Sequence, residues 1–215
     1  MTDKNIITEK LQKINGLNVK NNVKLKNYTS FEIGGPADIF ITPHKKESLA
    51  EALKVIHNVN LPFFILGSGS NIIVNDNGFR GIVIYMEKLN NISIDNNIIT
   101  AQSGLSLNKL TEKARDAELH GLEFASGIPG SLGGALFMNA GAYGGEMKDV
   151  VKSVLTLNYQ GEFEEIDAEK LNLSYRDSLL QKENLIAVEA KIKLEKADKK
   201  EISAKMKELK KKREN

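Results

Sequence analysis

The sequence contains no cysteine. Disulfides, thiolate metal ligands and a cysteine nucleophile are therefore excluded, and the composition fits a reducing compartment. Histidine is almost as scarce. His44, His57 and His120 are scattered along the chain, so no metal site is expected. Charge of either sign is not in excess: 30 Lys and Arg face 28 Asp and Glu, a net charge of +2. The whole molecule thus does not advertise nucleic-acid binding. No stretch approaches the roughly 18 apolar residues of a membrane span, and the opening MTDKNIITEK lacks the apolar centre of a signal peptide. These absences predict a soluble cytoplasmic protein with no membrane association. No segment identifies a protein partner.

The 215 residues, 41% hydrophobic and 27% charged, suit one domain or two small ones with a real core. A short helix is expected near Thr8 to Ile14, weakly held because its apolar face is only Leu11 and Ile14. Gly34-Gly35-Pro36 is a strong turn signal before a strand over Ala37 to Thr42. Thr29 and Ser30 could present hydroxyls to a ligand there. Lys45 to Asn58 reads as a helix with Leu49, Leu53 and Ile56 on one face. His57 at its end is read as structural, a cation favoured by the helix dipole. Leu61 to Leu66, Ile72 to Val74 and Gly81 to Tyr85 read as strands, with a tight turn at Asn75 to Gly78.

From Leu89 the pattern changes. Ile92 to Ile94 and Ile98 to Gln102 form a hairpin candidate. Ser106 is a candidate N-cap for a helix to Leu119, closed by Gly121. Val151 to Tyr159 turns at Gln160-Gly161 into Glu162 to Ile166. Leu185 to Leu194 alternates strictly, as a strand buried on one face does. Ala197 to Asn215 is a helix with a narrow stripe of Ile202, Met206 and Leu209. Its basic end, Lys207 and Lys210 to Arg213, suits the helix dipole better than a nucleic-acid tail.

Two glycine-rich stretches stand out. Seven of the 17 glycines fall between Gly127 and Gly145, inside an apolar run from Gly121 whose one charge is Glu123. Glycine lets the backbone turn with positive φ and lets a ligand approach without meeting a Cβ. The stretch reads as a cradle for a large anionic ligand, or as a turn packed tightly on a sheet. The second stretch, Gly67-Ser68-Gly69-Ser70-Asn71, leaves a strand directly. It is neither G-x-G-x-x-G nor a P-loop. A phosphate cradle and a plain strand–turn–strand both remain open from these residues alone.

Five motifs, in order and spacing, resemble the UDP-N-acetylenolpyruvoylglucosamine reductase family, flavoenzymes of peptidoglycan precursor synthesis. They are Asn27-Tyr-Thr-Ser-Phe-x-Ile-Gly-Gly35, Leu66-Gly-Ser-Gly-Ser-Asn71, Gly127-Ile-Pro-Gly-Ser-Leu-Gly-Gly134, Asn139-Ala-Gly-Ala-Tyr-Gly144 and Ser174-Tyr-Arg-Asp-Ser178. The resemblance implies an α+β fold of the vanillyl-alcohol-oxidase/PCMH type, with FAD between two subdomains. These would be residues 1–88 and 89–197 (the PCMH-type unit being about 31–196), with 198–215 a basic linker helix toward a third domain.

The resemblance also implies the site. Gly67, Ser68, Gly69, Ser70 and Asn71 would hold the FAD pyrophosphate, with Thr29 nearby. Gly127, Ile128, Pro129, Gly130, Ser131, Gly133 and Gly134, with Ala140, Gly141, Ala142 and Tyr143, would line the flavin. FAD would be noncovalent and NADPH the hydride donor. Hydride would pass from the flavin to the enolpyruvyl group of the UDP-sugar substrate. Arg176 would stabilise the developing negative charge, with Tyr175 on the substrate side. Read without the resemblance, Arg176 could instead pair with Asp177. The family's proton-donating serine in Gly-Ser-x-x-Phe and its assisting glutamate find no match after Arg176. The expectation is therefore the FAD-binding part of the reductase without its third domain, reducing UDP-N-acetylenolpyruvoylglucosamine to UDP-N-acetylmuramate with NADPH, or alternatively an FAD-binding module without reductase turnover because the serine and glutamate are missing.

Overall fold

The computed structural model describes residues 3–59 and 61–214. Met1, Thr2, Asn60 and Asn215, which include the outer ends of the expected first segment and of the C-terminal helix, lie outside them. The chain opens with α1 (Asp3–Gln12), five residues earlier than the periodicity predicts. Ile7 and Leu11, one turn apart, are buried with Ile14 from the following turn. They pack into the same core as the second helix, so this piece is not weakly held. The signal missed was Ile7, which extends the apolar stripe by a turn.

Next comes β1 (Leu17–Lys24), a strand that its sequence, LNVKNNVK, does not announce. It is polar because it is an edge strand, paired antiparallel with β2 (Pro36–Pro43), Val19 opposite Ile41. In β2, by contrast, Ala37, Ile39, Phe40 and Ile41 are all buried. Then follow α2 (Lys46–His57), β3 (Phe63–Leu66) and β4 (Phe79–Tyr85). The sheet runs β1-β2-β4-β3, with β4 parallel to both neighbours and β3 at the open edge.

Ile72 to Val74 is not a strand. Ile73 is 70% exposed, and the segment crosses the surface irregularly. The Gly35 amide donates to the Asn75 carbonyl at 3.0 Å, and Val74 sits so close to Gly34 that a Cβ there would lie 2.9 Å from Val74 Cβ. This loop-to-loop packing takes the place of a ladder. The Asn75–Gly78 turn forms as expected, with the Gly78 amide on the Asn75 carbonyl at 2.8 Å.

The second half contains β5 (Ile92–Asp95), β6 (Ile98–Gln102), α3 (Leu107–Asp116) and β7 (Leu119–His120). Then come α4 (Leu132–Phe137), β8 (Gly141–Ala142), β9 (Gly145–Glu146), β10 (Val151–Leu157) and β11 (Phe163–Asp167). It ends with α5 (Leu179–Lys182), β12 (Ile186–Lys193), β13 (Glu195–Lys196) and α6 (Lys199–Glu214). A five-stranded antiparallel sheet is ordered β11-β10-β12-β6-β5, and β7 pairs with β13. Ser106 caps α3 as expected, its Oγ accepting from the Lys109 amide at 3.3 Å.

The end of α3 departs from the expectation. The helix already breaks at Glu118, which takes a positive φ (58°), three residues before Gly121, itself at φ 121°. Leu119 must leave the helix to be buried and to pair with Lys196. Tertiary burial overrides the glycine signal. The basic helix α6 is not left without a neighbour: it packs on α3, β7 and the 3-10 turn at 123–125, with Ile202 and Leu209 buried.

The two sheets share a core. Leu157 from β10 and Ile186 and Val188 from β12 join Leu49, Leu53 and Ile84 in one buried cluster. Truncating Leu157 (fully buried) to alanine removes packing from both sheets at once. We expect Leu157→Ala to destabilise the protein by about 2–5 kcal/mol in urea denaturation, as a shift of one cooperative transition. Two separated transitions would show that the sheets do not depend on this shared core.

Candidate functional site

A cleft of about 680 Å³ opens between the halves, within the range of roughly 300–1,000 Å³ typical of ligand sites. One wall is the free edge of β3 with the loop after it. The other is formed by the loop into α4, the start of β12 and the Arg176 turn. Among the described residues, Arg176 is the only charged side chain in its lining.

The strand-exit loop is shaped by contact with its neighbours. Gly69 has φ 68°, and a Cβ there would lie 1.9 Å from the Tyr28 carbonyl oxygen, so only glycine fits. The Ser30 amide donates to the Gly69 carbonyl at 3.0 Å. Ser70 Oγ donates to the Pro129 carbonyl at 2.8 Å, which latches the two glycine-rich stretches across the cleft. The amides of Ser68, Gly69, Ser70 and Asn71 have no acceptor among the described residues. Consecutive unpaired N–H groups of this kind suit phosphate oxygens.

The opposite wall is different. At the start of α4 the Leu132 amide donates to the Leu105 carbonyl (2.8 Å) and the Gly133 amide to the Ser103 carbonyl (2.7 Å). Ser131 Oγ accepts from the Gly134 amide at 3.4 Å. The helix end is therefore already satisfied and is not where an anion would sit. Gly133 is required by packing, since its Cβ would lie 2.9 Å from that of Ser103. Gly130 and Gly134 are not: their nearest neighbours would be 3.7 and 3.6 Å away. Glycine inside a helix costs about 0.5–1 kcal/mol relative to alanine. A helix that carries it without a packing reason presents a bare backbone to the cleft. Beside it, Ser103 Oγ is buried with no hydrogen-bond partner among the described residues. Unpaired amides on one wall and bare, uncharged backbone on the other fit a ligand with a phosphate segment and a flat ring system, as FAD is.

Arg176 stands on a tight turn. Ser174 and Asp177 exchange both backbone hydrogen bonds at 3.1 Å, and Arg176 itself has φ 56°. The pairing of Arg176 with Asp177 that the sequence leaves open does not form. Asp177 instead takes Lys182, whose hydrogen bond is the main reason its carboxyl is held below the usual range. Asn139 supports the turn from below: its Nδ2 donates to the Ser174 carbonyl at 3.1 Å and to Glu146, and its Oδ1 accepts from the Lys148 amide at 3.0 Å.

Of the residues singled out from sequence, Gly67 to Asn71, Ile128 to Ser131, Gly133, Gly134, Ala140 and Arg176 border the cleft. Thr29, Gly127, Gly141, Ala142, Tyr143 and Tyr175 lie outside that lining. The Thr29 hydroxyl donates within its own loop, to Ile33 at 2.9 Å. The Gly127 amide is on Asn108 Oδ1 at 3.0 Å. Gly141 and Ala142 pair in the β8–β9 hairpin, whose tip residue Tyr143 lies under the Arg213 guanidinium, 5.6 Å from the ring centroid. Tyr175 is 88% exposed. Sequence reasoning did not single out Phe63, Tyr159 or Gln181, which also border the cleft and reach it only through tertiary packing. Among the described residues no cluster of three His, Asp or Glu could hold a metal ion, and no helix is long and apolar enough to cross a membrane.

Comparison with known proteins agrees with this geometry. The FAD binding domain family matches residues 37–167. The UDP-N-acetylenolpyruvoylglucosamine reductase of Clostridium tetani is 46% identical over 210 residues, covering 98% of this chain and 68% of the relative. That of Alkaliphilus oremlandii is 50% identical over 179 residues, 83% of this chain and 59% of the relative. The crystal structure of the UDP-N-acetylenolpyruvylglucosamine reductase from Thermus caldophilus superposes with a TM-score of 0.79 at 33% identity, covering 92% of this chain and 70% of that one. The chain thus spans roughly 59–70% of the length of these relatives. The fold is the vanillyl-alcohol-oxidase/PCMH-type FAD-binding fold, and the chain belongs to the UDP-N-acetylenolpyruvoylglucosamine reductase family.

Proposed function

We propose that this chain binds FAD noncovalently in the cleft and takes part, with NADPH as reductant, in reducing UDP-N-acetylenolpyruvoylglucosamine to UDP-N-acetylmuramate for peptidoglycan precursor synthesis. The observation that carries this reading is a cleft in which, among the described residues, Arg176 is the single cation, facing glycines that the fold itself does not require. FAD, when bound, would supply the hydride-transfer chemistry between NADPH and the substrate. The chain's own residues do the rest. The Ser68 to Asn71 amides hold the diphosphate. Gly130 and Gly134 let the ring system lie against backbone. Arg176 keeps a fixed positive charge where the enolpyruvyl group gains negative charge. Arginine does not lose its proton, so it stabilises that charge without supplying the proton.

A second reading, a flavin-binding unit without turnover, rests on one observation. No carboxylate or imidazole lines the cleft among the described residues, so the lining offers hydroxyls but no acid that titrates near neutral pH. The domain organisation we propose follows the same logic: residues 1–88 and 89–197 as the two FAD-binding subdomains, and 198–215 as a linker helix.

The purified chain should be yellow, or turn yellow with added FAD, and acid precipitation should release all the flavin into the supernatant. A preparation that stays colourless with FAD overturns the proposal. Gly134→Ala should raise the stability of the flavin-free protein by about 0.5–1 kcal/mol while weakening FAD binding about tenfold, as read by thermal melts and fluorescence titration. Equal FAD affinity would mean that no ring approaches Gly134. Arg176→Leu should leave NADPH reduction of the flavin intact and slow reduction of the enolpyruvyl substrate about 10²–10³-fold in anaerobic stopped-flow measurements. If the unaltered chain oxidises NADPH but never reduces the substrate, the second reading holds.

A further inference from the structure

We infer that Gln181 is the positioning residue for Arg176. This rests on the role proposed for Arg176 and adds a residue that neither the motifs nor the strand pattern point to. The Gln181 Nε2 donates to two carbonyls, that of Phe137 at 2.7 Å and that of Arg176 at 3.1 Å. Phe137 closes α4, so one amide ties the Arg176 turn directly to the helix that carries Gly134. The Phe137 carbonyl is also held by Ser178 Oγ at 2.8 Å, and Ser178 is fully buried. Both lone pairs of that carbonyl are used, which fixes the direction from which Gln181 approaches.

The constraint matters because the turn's own bonds fix Ser174 and Asp177, while the Arg176 guanidinium meets, among the described residues, only the ring of Tyr175, 5.8 Å from its centroid. The Arg176 backbone sits in the left-handed region, which a branched or long side chain enters only when its surroundings insist. Its guanidinium has no carboxylate partner among the described residues, Asp177 being taken by Lys182. A cation free in charge needs its position set through the main chain. Only a group with two N–H donors can satisfy two carbonyls at once; glutamate, with the same shape, offers acceptors alone and faces both oxygens with like charge. Gln181 also borders the cleft, so a direct contact with the substrate is the competing explanation that the test must separate.

The test uses the FAD-loaded chain, titrated with UDP-N-acetylenolpyruvoylglucosamine and followed through the flavin absorbance. Gln181→Leu and the isosteric Gln181→Glu should keep their FAD affinity within about twofold, which also reports an intact fold. Both should bind the substrate about tenfold more weakly, since a displaced guanidinium loses part of its charge-assisted contact with an anionic substrate. The double variant Gln181→Leu with Arg176→Ala should bind no more weakly than Arg176→Ala alone, because a positioning residue has nothing left to position. Wild-type affinity in both Gln181 variants overturns the inference, and so do losses that add in the double variant, which would make Gln181 a direct ligand. A wild-type chain that holds FAD but shows no saturable response to the substrate overturns the functional reading itself, and this inference with it.

Discussion

Strand β12 is the member on which the other parts depend. It is the middle strand of the five-stranded sheet, paired on one side with β10 and on the other with β6. Its first residues also enter the core shared with the four-stranded sheet, through Ile186 and Val188. Ile186 and Ala187 then border the cleft. The Val188 carbonyl accepts the Ser103 amide at 2.9 Å, and the Ser103 carbonyl accepts that of Gly133. A run of two hydrogen bonds thus leads from the centre of the sheet to the bare face of α4. The cleft is as stiff as the core behind it because it is built from that core's own edge.

The electrostatics of the cleft follow from what was kept out. A diphosphate could be met by lysines, but here the lining offers neutral amides and one guanidinium. Neutral donors hold an anion without creating a strong field elsewhere in the cavity. The single cation then dominates the local potential, and its effect is strengthened where water is excluded. The Lys182 pairing with Asp177 belongs to the same arrangement, since it neutralises the nearest carboxylate in sequence.

Much of the fold was legible because burial leaves a periodic trace. The strict alternation of Leu185 to Leu194, the helical stripe of Leu49, Leu53 and Ile56, and the Ser106 cap all reappear as elements with those roles. Where the trace failed, burial was either not the organising force or acted without a helical or strand period. β1 is polar because an edge strand needs only backbone pairing on one side. Ile72 to Val74 is apolar without being a strand, because it covers Gly34 and Leu25 as a loop. The α3 terminus moved because Leu119 had a better place to go than Gly121 marked. The site was legible in part for a related reason. A glycine marks either a close approach, as by the Tyr28 carbonyl at Gly69, or open space, as at Gly134, and the letter alone does not say which. Gln181 left no trace, since a glutamine that bridges two carbonyls looks, in sequence, like any surface glutamine.

One further consequence lies in β3. All four of its residues border the cleft, and it is the outer strand of its sheet. An unpaired strand edge rich in phenylalanine and isoleucine is a template on which other chains can add. In this protein that edge lies in the wall of the cleft, and none of the four residues of β3, Phe63 to Leu66, carries a charge. On the FAD binding proposed above, an occupied cleft would place the cofactor beside that edge and leave less of it open to another chain. The same four residues would then serve two ends, as a wall of the cleft and as a strand edge that an occupant of the cleft covers.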